Sequence, residues 1–343
     1  MKTHKELAAL LQTAQREQRC AIGDGGKLYT ALRRRTKIGE VVSPYPNLFA
    51  ATSYWKSLNV EQQSMHLIRA LAKVHPTWTF AGLSAACVYQ YEHSYSLHNG
   101  TVDIVSPKGA NCGGASGLNR IYMARCSQYR CQGILVTSPA RTLIDCASLP
   151  FDKALAIYDS ALRLQHVTKL DVETLIVQTD CNETNVKRLL RYANPLRENG
   201  GESWTYARIR QLGFAEPLFQ TEFDNPANPE MPYRVDFCWK LHDGRIIVVE
   251  YDGIAKYRDT SNPSRANLMA KFEYERQRDA NLKTQGVTSI KHLFYEDVSD
   301  LKRLNALLTA IGIPKFGNKR QTHTVTTAPS IHLSGTTSHR RCS

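Results

Sequence analysis

The chain of 343 residues contains no run of about eighteen apolar residues, the length a helix needs to cross a bilayer, so no membrane span is expected. Its opening residues, Met1-Lys2-Thr3-His4-Lys5-Glu6, are polar and lack the apolar stretch of a secretory signal peptide. The nine cysteines form no C-x-x-C pair and no regular framework, which points to reduced thiols in a cytoplasmic setting. Cys126 and Cys131, taken with His93 and His98, lack the spacing of a structural zinc site. The glycine-rich stretch from Asn111 to Gly117 lacks the lysine and the strand–helix setting of a phosphate loop. No internal repeat is evident. Acidic residues are scarce relative to basic ones, 31 against 44, which leaves a net charge of +13.

What is present is unevenly placed. Residues 1–200 carry 24 Lys and Arg against 15 Asp and Glu, residues 201–315 carry 16 of each, and the segment from 316 carries 4 cations and no acid. Positive charge upstream suggests a nucleic-acid anchor there, because neutralised phosphates supply most non-specific affinity. In residues 1–60, Leu7, Leu10, Leu11 and Ala14 share a helical face, and Leu28–Lys37 reads as a second, strongly basic helix. Ile38–Pro44 and Asn47–Ala50 resemble a wing, so a winged-helix dock would set Arg33, Arg34, Arg35 and Lys37 against DNA. The alternative for these cations is a solvated charge run.

Residues 61–193 read as a mixed α/β middle region. Helices are expected around Met65–Leu71, Thr79–Cys87, Leu155–Leu162, Leu170–Ile176 and Val186–Tyr192, and strands at Val102–Val105 and Ile134–Thr137. Ser138 and Pro139 supply the cap and first position of another helix. Asp103 and Asp145 read as structural acids, the latter paired with Arg141. Asn194–Gly201 is the expected joint to a third part over 194–315. Residues 316–343, rich in Thr, Ser and His, read as a disordered tail. The fold class is therefore α/β in the broad sense, that is, α+β.

The chemistry concentrates in the third part. Val235–Trp239 and Ile246–Val249 are apolar runs flanking His242-Asp243-Gly244, a hairpin signal. Asp236 interrupts the first run and Glu250 ends the second, with Asp252 two residues on. Antiparallel pairing would bring Asp236 and Glu250 to one end of a sheet, where clustered carboxylates suit a hard, oxygen-seeking cation such as Mg²⁺ or Mn²⁺. A merely solvated acid sits poorly inside a β-branched run. Glu202 lies in the first turn of a helix opening at Gly200, where it either favours the helix dipole or adds a further carboxylate to the site. Downstream, Phe272–Leu282 reads as an amphipathic helix and Val287–Phe294 as a strand, with a loop over Ile254–Asn267 close to the site.

The order Glu-Ser on a helix, then R-V-D-F, V-E-Y-D-G, K-Y and E-x-E-R-x-R-x-x-x-L resembles the very-short-patch-repair-like branch of the PD-(D/E)XK nucleases, over about residues 198–313. The whole chain is similar to actinobacterial proteins that join such a domain to an N-terminal region like the AbiEi antitoxins, a likeness carried upstream by F-A-G-L-S-A-A and S-P-A-R-T-L-I-D. The resemblance implies a restriction-endonuclease-like C-terminal domain after a winged-helix-like head. It implies that Asp236, Glu250 and Asp252 hold Mg²⁺ (or Mn²⁺), with Glu202 in support. The family pattern places a lysine where this chain has Asp252, so the catalytic cation is sought at Lys256, or at Arg276 and Arg278 on the next helix. The implied activity is hydrolysis of phosphodiester bonds in DNA, in a phage-defence or toxin–antitoxin setting. Two alternatives stay open: a transcriptional regulator that binds DNA without cutting it, and an antitoxin whose partner is a cognate toxin.

Overall fold

The structure, a computed structural model, describes residues 5–108, 117–253 and 265–316, the side chains of residues 265–272 excepted. At the N-terminal end, helices α1 (Lys5–Arg16) and α2 (Gly26–Lys37) pack on strands β1 (Ala21–Ile22), β2 (Val41–Tyr45) and β3 (Leu48–Ala51). The three strands form an antiparallel sheet in the order β1-β3-β2. The apolar face read from the sequence closes this unit: Leu7 and Ala14 are buried with Leu32 and Phe49, and Leu10 and Leu11 pack against them. β2 and β3, from the segments read as a wing, pair antiparallel and turn through Asn47, whose φ of 61° is tolerated by its short polar side chain.

The middle region begins with α3 (Thr52–Ser57), α4 (Val60–Val74) and α5 (Gly82–Val88). Asn59 and Gln62 cap α4 reciprocally, each side chain accepting from the other's backbone N–H at 2.8 and 2.9 Å. The helix expected from Thr79 starts only at Gly82. Phe80 is instead extended and fully buried, and it bridges β4 (Val102–Ser106) and β7 (Ile134–Thr137). Asp103 serves as the expected structural acid: its carboxylate accepts from Leu83 N–H at 3.0 Å and from Asn119 Nδ2 at 2.9 Å. β4 pairs in parallel with β5 (Leu118–Tyr122), and β7 pairs antiparallel with β6 (Gln128–Cys131). These partner strands, L-N-R-I-Y and Q-Y-R-C, are too polar to announce themselves by apolar patterning. Four helices follow, α6 (Pro139–Cys146), α7 (Phe151–Arg163), α8 (Lys169–Ile176) and α9 (Glu183–Tyr192). Ser138 caps α6, and Asp145 pairs with Arg141 at 2.8 Å, as read from the sequence.

The last part opens with α10 (Gly200–Gln211). A four-stranded sheet then forms from β8 (Leu218–Phe223), β9 (Tyr233–Lys240), β10 (Ile246–Tyr251) and β11 (Val287–Leu293). Its order is β11-β10-β9-β8, with β10 and β11 parallel and the other pairs antiparallel. The β9–β10 turn uses Gly244 at a φ of 85°, as the Asp-Gly signal implied. α11 (Arg265–Thr284) crosses back to β11, and α12 (Tyr295–Ser299) and α13 (Leu301–Ala310) complete the layer. α11 begins well before the expected Phe272, so the end of the predicted loop is helical. Residues 254–264, Lys256 among them, and residues 317–343 of the predicted tail lie outside the described residues.

The segment read as a joint is built into a shared core. One apolar cluster runs from Met65 and Tyr158 to Tyr206, Phe237, Val249 and Leu308, spanning the middle region and the last part. Across the joint, the buried Arg197 guanidinium donates to both oxygens of the buried Asp159 carboxylate, at 2.6 and 2.8 Å, and to Tyr192 O at 2.7 Å. Among the described residues no helix is long and apolar enough to cross a membrane. The described cysteines are all free.

Candidate active site

Strand register assembles the site. β9 and β10 pair from Lys240 opposite Ile246 to Phe237 opposite Val249, so one further step sets Asp236 beside Glu250. The parallel β10–β11 pairing sets Glu250 beside His292. On the other side, Phe219 faces Phe237 and Thr221 faces Val235, which sets Gln220 beside Asp236. A polar row therefore crosses the sheet, one residue per strand: Gln220, Asp236, Glu250, His292. The ladder is irregular along this row. Gln220 adopts a φ of 47°. Val235 packs with Cys238 on one face while Phe237 packs with Trp239 on the other, so the alternation of β9 breaks at Asp236.

Glu202 reaches the row from α10. Its backbone N–H donates to the N-cap Asn199 Oδ1 at 3.0 Å, which fixes the first helical turn. Its carboxylate accepts from Glu198 N–H at 2.8 Å, from Gln220 Nε2 at 3.1 Å and from Asn199 Nδ2. Gln220 Nε2 also lies 3.3 Å from Asp236 Oδ1, linking the two acids. The glycine pair before Glu202 allows this approach: a Cβ on Gly201 would overlap the Tyr251 ring. Tyr251 in turn orients Asp236 by donating its backbone N–H to Oδ2 at 2.8 Å.

Glu250 is 7% exposed. One oxygen pairs with Arg278 Nη2 at 2.6 Å, and the other accepts from Asp236 N–H at 3.3 Å. Arg278 also donates to Arg234 O at 2.7 Å, so α11 holds its guanidinium inside the site. Asp252 is buried and accepts from His292 Nδ1 at 2.8 Å, while His292 Nε2 lies 3.3 Å from Asp279 Oδ2. Potential ligand atoms of Asp252, Glu275 and His292 all lie within 4.8 Å of one another. A cavity of about 530 Å³ opens onto Glu202, Asp236, Glu250, Asp252, Glu275 and Arg278. The structure thus brings together Asp236, Glu250, Asp252, Glu202 and Arg278 from the residues singled out in the sequence. Arg276 lies apart at the surface, 78% exposed and paired with Glu273 at 2.8 Å. Arg33, Arg34, Arg35 and Lys37 sit on α2, where Arg35 pairs with Glu40 at 3.2 Å and the other three are exposed.

The electrostatics of the cavity favour uptake of positive charge. Burial, then repulsion from Asp236, raises Glu202 to about 8, overriding the opposing effect of its hydrogen bond from Gln220. Burial and Asp236 also raise Glu250 to about 7, despite Arg278. The hydrogen bond to Asp252 leads the causes that raise His292 to about 9. Crowded, buried carboxylates of this kind either keep protons or share a cation, and a donor set made mostly of carboxylate oxygens fits Mg²⁺ or Mn²⁺.

A pH signature follows. Between their ordinary value of 4.5 and about 8, the glutamates bind more protons folded than unfolded, so stability falls as pH rises through that window. His292 acts in the same sense between its ordinary 6.5 and about 9: its contribution is complete below the first value and is lost through the second. The protein without added metal should therefore melt at progressively lower temperature from about pH 5 to about pH 9, and a divalent cation, if held by these carboxylates, should restore more stability at the upper end. Glu202→Gln should flatten the profile. Thermal unfolding at stepped pH checks this, and a melting temperature that climbs steadily across the range would refute it.

Gln220, Tyr251 and His292 were not foreseen as site residues. Their only sequence signal is register, which becomes readable once β8 and β11 are aligned on Asp236 and Glu250. Comparison of the chain with protein-family models, with curated proteins and with solved structures finds no match. Fold and site together define an α+β protein with a carboxylate-lined cavity at the end of a mixed sheet.

Proposed function

We propose that the protein is an Mg²⁺- or Mn²⁺-dependent endonuclease that hydrolyses phosphodiester bonds in DNA, built on a restriction-endonuclease-like core. The observation that carries this reading is the gathering of Glu202, Asp236, Glu250 and Asp252 around one cavity with Arg278 inside it. Asp236, Glu250 and Asp252 would hold the cation, which supplies Lewis acidity to a phosphoryl oxygen and lowers the pKa of water. The chain's own groups have separate tasks. Gln220 Nε2 donates to both Glu202 and Asp236 and so links the two acids. Tyr251 N–H and His292 Nδ1 fix the orientation of Asp236 and Asp252. Arg278 takes the role of the lysine missing at Asp252, offering fixed positive charge to a phosphate; Lys256 is the other cation proposed for that role. Exposed Arg33, Arg34 and Lys37 of α2 would contact DNA phosphates away from the cavity. The test is cleavage of plasmid DNA by the purified protein with Mg²⁺ or Mn²⁺, beside Asp236→Ala and Glu250→Ala.

The ion pair between Arg278 and Glu250 favours a second reading, in which the site binds DNA without cutting it, as in a regulator or an antitoxin. Such a protein would footprint an operator and leave it intact, or rescue growth from a cognate toxin. Arg278→Ala separates the two. In a nuclease, cleavage should drop on the order of 10²-fold, with partial recovery in Arg278→Lys. A non-cutting protein would show the same absence of cleavage in all three forms.

A further inference from the structure

A second group of ligand-type side chains lies in the middle region, with a different chemistry. Cys87 is near the end of α5, and His93 and His98 flank the short 3₁₀ turn Tyr95–Leu97. Cys87 Sγ lies 3.7 Å from His93 Nε2, and His93 Nε2 lies 2.7 Å from His98 Nε2. Potential ligand atoms of all three lie within 4.8 Å of one another. Each ring is oriented from behind: His93 Nδ1 is 2.6 Å from Tyr91 O, which can only accept, and His98 Nδ1 is 2.8 Å from Ser64 Oγ. This leaves the Nε2 atoms turned toward each other and toward the thiol. A backbone carbonyl or hydroxyl behind a histidine is the usual support of a metal-binding imidazole.

We propose that Cys87, His93 and His98 form a Zn²⁺ site that ties the 93–98 turn to α5. Zn²⁺ at its usual bond lengths sets tetrahedral N and S ligands roughly 3.5 Å apart and two N ligands roughly 3.3 Å apart. The Cys87–His93 separation already matches. The two imidazoles, which in the metal-free protein share one hydrogen bond, must open by roughly 0.6 Å, a small ring movement for the partly exposed His98. On binding, the Cys87 thiol releases its proton, and the proton shared between the imidazoles shifts from His98 Nε2 to His98 Nδ1, where Ser64 Oγ accepts it, so both rings coordinate as neutral imidazoles.

One thiolate and two imidazoles select Zn²⁺ over Mg²⁺, whereas the oxygen-lined cavity has the reverse preference. The site also has a structural consequence. Glu92, next to His93, accepts from Arg163 Nη2 at 3.0 Å and from the backbone N–H of Gly200, the first residue of the helix that carries Glu202.

The experiment titrates chelator-treated full-length protein with Co²⁺ and then Zn²⁺. A thiolate-to-cobalt charge-transfer band should saturate at one equivalent and be displaced by Zn²⁺. The band should persist in Glu250→Gln and vanish in Cys87→Ser and in His98→Gln. Because Cys87 is buried and its substitution could disturb folding, His98→Gln carries the decision. Zn²⁺ should raise the melting temperature of the wild type but not that of His98→Gln. Absence of the band in the wild type, or an unchanged band in His98→Gln, overturns the proposal.

Discussion

Asp236→Ala and Glu250→Ala proteins should each lose metal-dependent plasmid cleavage by about 10³-fold or more, since in the proposed nuclease both would remove a ligand from the same cation. The double variant should be little worse than either single one, because residues that act as a unit are strongly non-additive. The two singles differ in their side effects. Glu250→Ala strands Arg278, whose guanidinium is 13% exposed and would lose its carboxylate partner. Asp236→Ala instead relieves repulsion on Glu202 and Glu250, both raised in part by the Asp236 charge. Glu250→Ala should therefore lower the melting temperature of metal-free protein while Asp236→Ala raises it, although both abolish cutting. Equal cleavage by the wild type and both variants would mark the activity as a contaminant.

The second large effect concerns stability. Arg197→Ala should cost about 3–5 kcal/mol, the usual consequence of removing one partner from a buried ion pair. Arg197 and Asp159 side chains are 1% and 0% exposed. The guanidinium also stacks over the Tyr206 and Phe219 rings at 4.3 and 4.8 Å, and the loss would leave the Asp159 charge unpaired in the core. The shift in melting temperature should be on the order of 10 °C. Replacing both members by apolar residues of similar volume should recover much of it, because a packed apolar pair often equals a buried salt bridge. Denaturant unfolding of the single and double variants decides the matter: a single-variant cost below about 1 kcal/mol would show that the joint is not a structural keystone. Arg197 also lies just before α10, so its loss should displace Glu202 and reduce cleavage as well.

Elements with strong local signals were legible. The β9–β10 hairpin followed from Asp243-Gly244 between apolar runs, α6 from Ser138-Pro139, and α10 from the residues after Gly200. Asp236 and Glu250 stood out because an acid in a β-branched run is costly unless it has a task. What stayed hidden depends on tertiary contact. β5 and β6 are polar strands that exist because β4 and β7 offer them an edge. Phe80 reads as helical by spacing, yet its burial between two sheets holds it extended. His292 acquires meaning only by lying beside Glu250, and Arg197 only by meeting Asp159. The Cys87–His93–His98 group escaped notice because the cysteines weighed with those histidines were Cys126 and Cys131, whose spacing does not fit zinc, whereas the fold brings Cys87 of α5 to them instead.

Two arrangements would have removed the basis for a cation: acids facing apart, or acids locked to arginines with no room between them. The acids converge on one cavity that Glu250 helps to line, and Arg278 takes only one oxygen of Glu250 while the other accepts from Asp236 N–H. Diffraction from crystals soaked in Mn²⁺ tests this most directly. An anomalous peak should appear within bonding distance of carboxylate oxygens of Asp236 and Glu250 and be absent from Asp236→Ala crystals. An empty cavity at saturating Mn²⁺, with Arg278 still seated on Glu250, would contradict a shared cation.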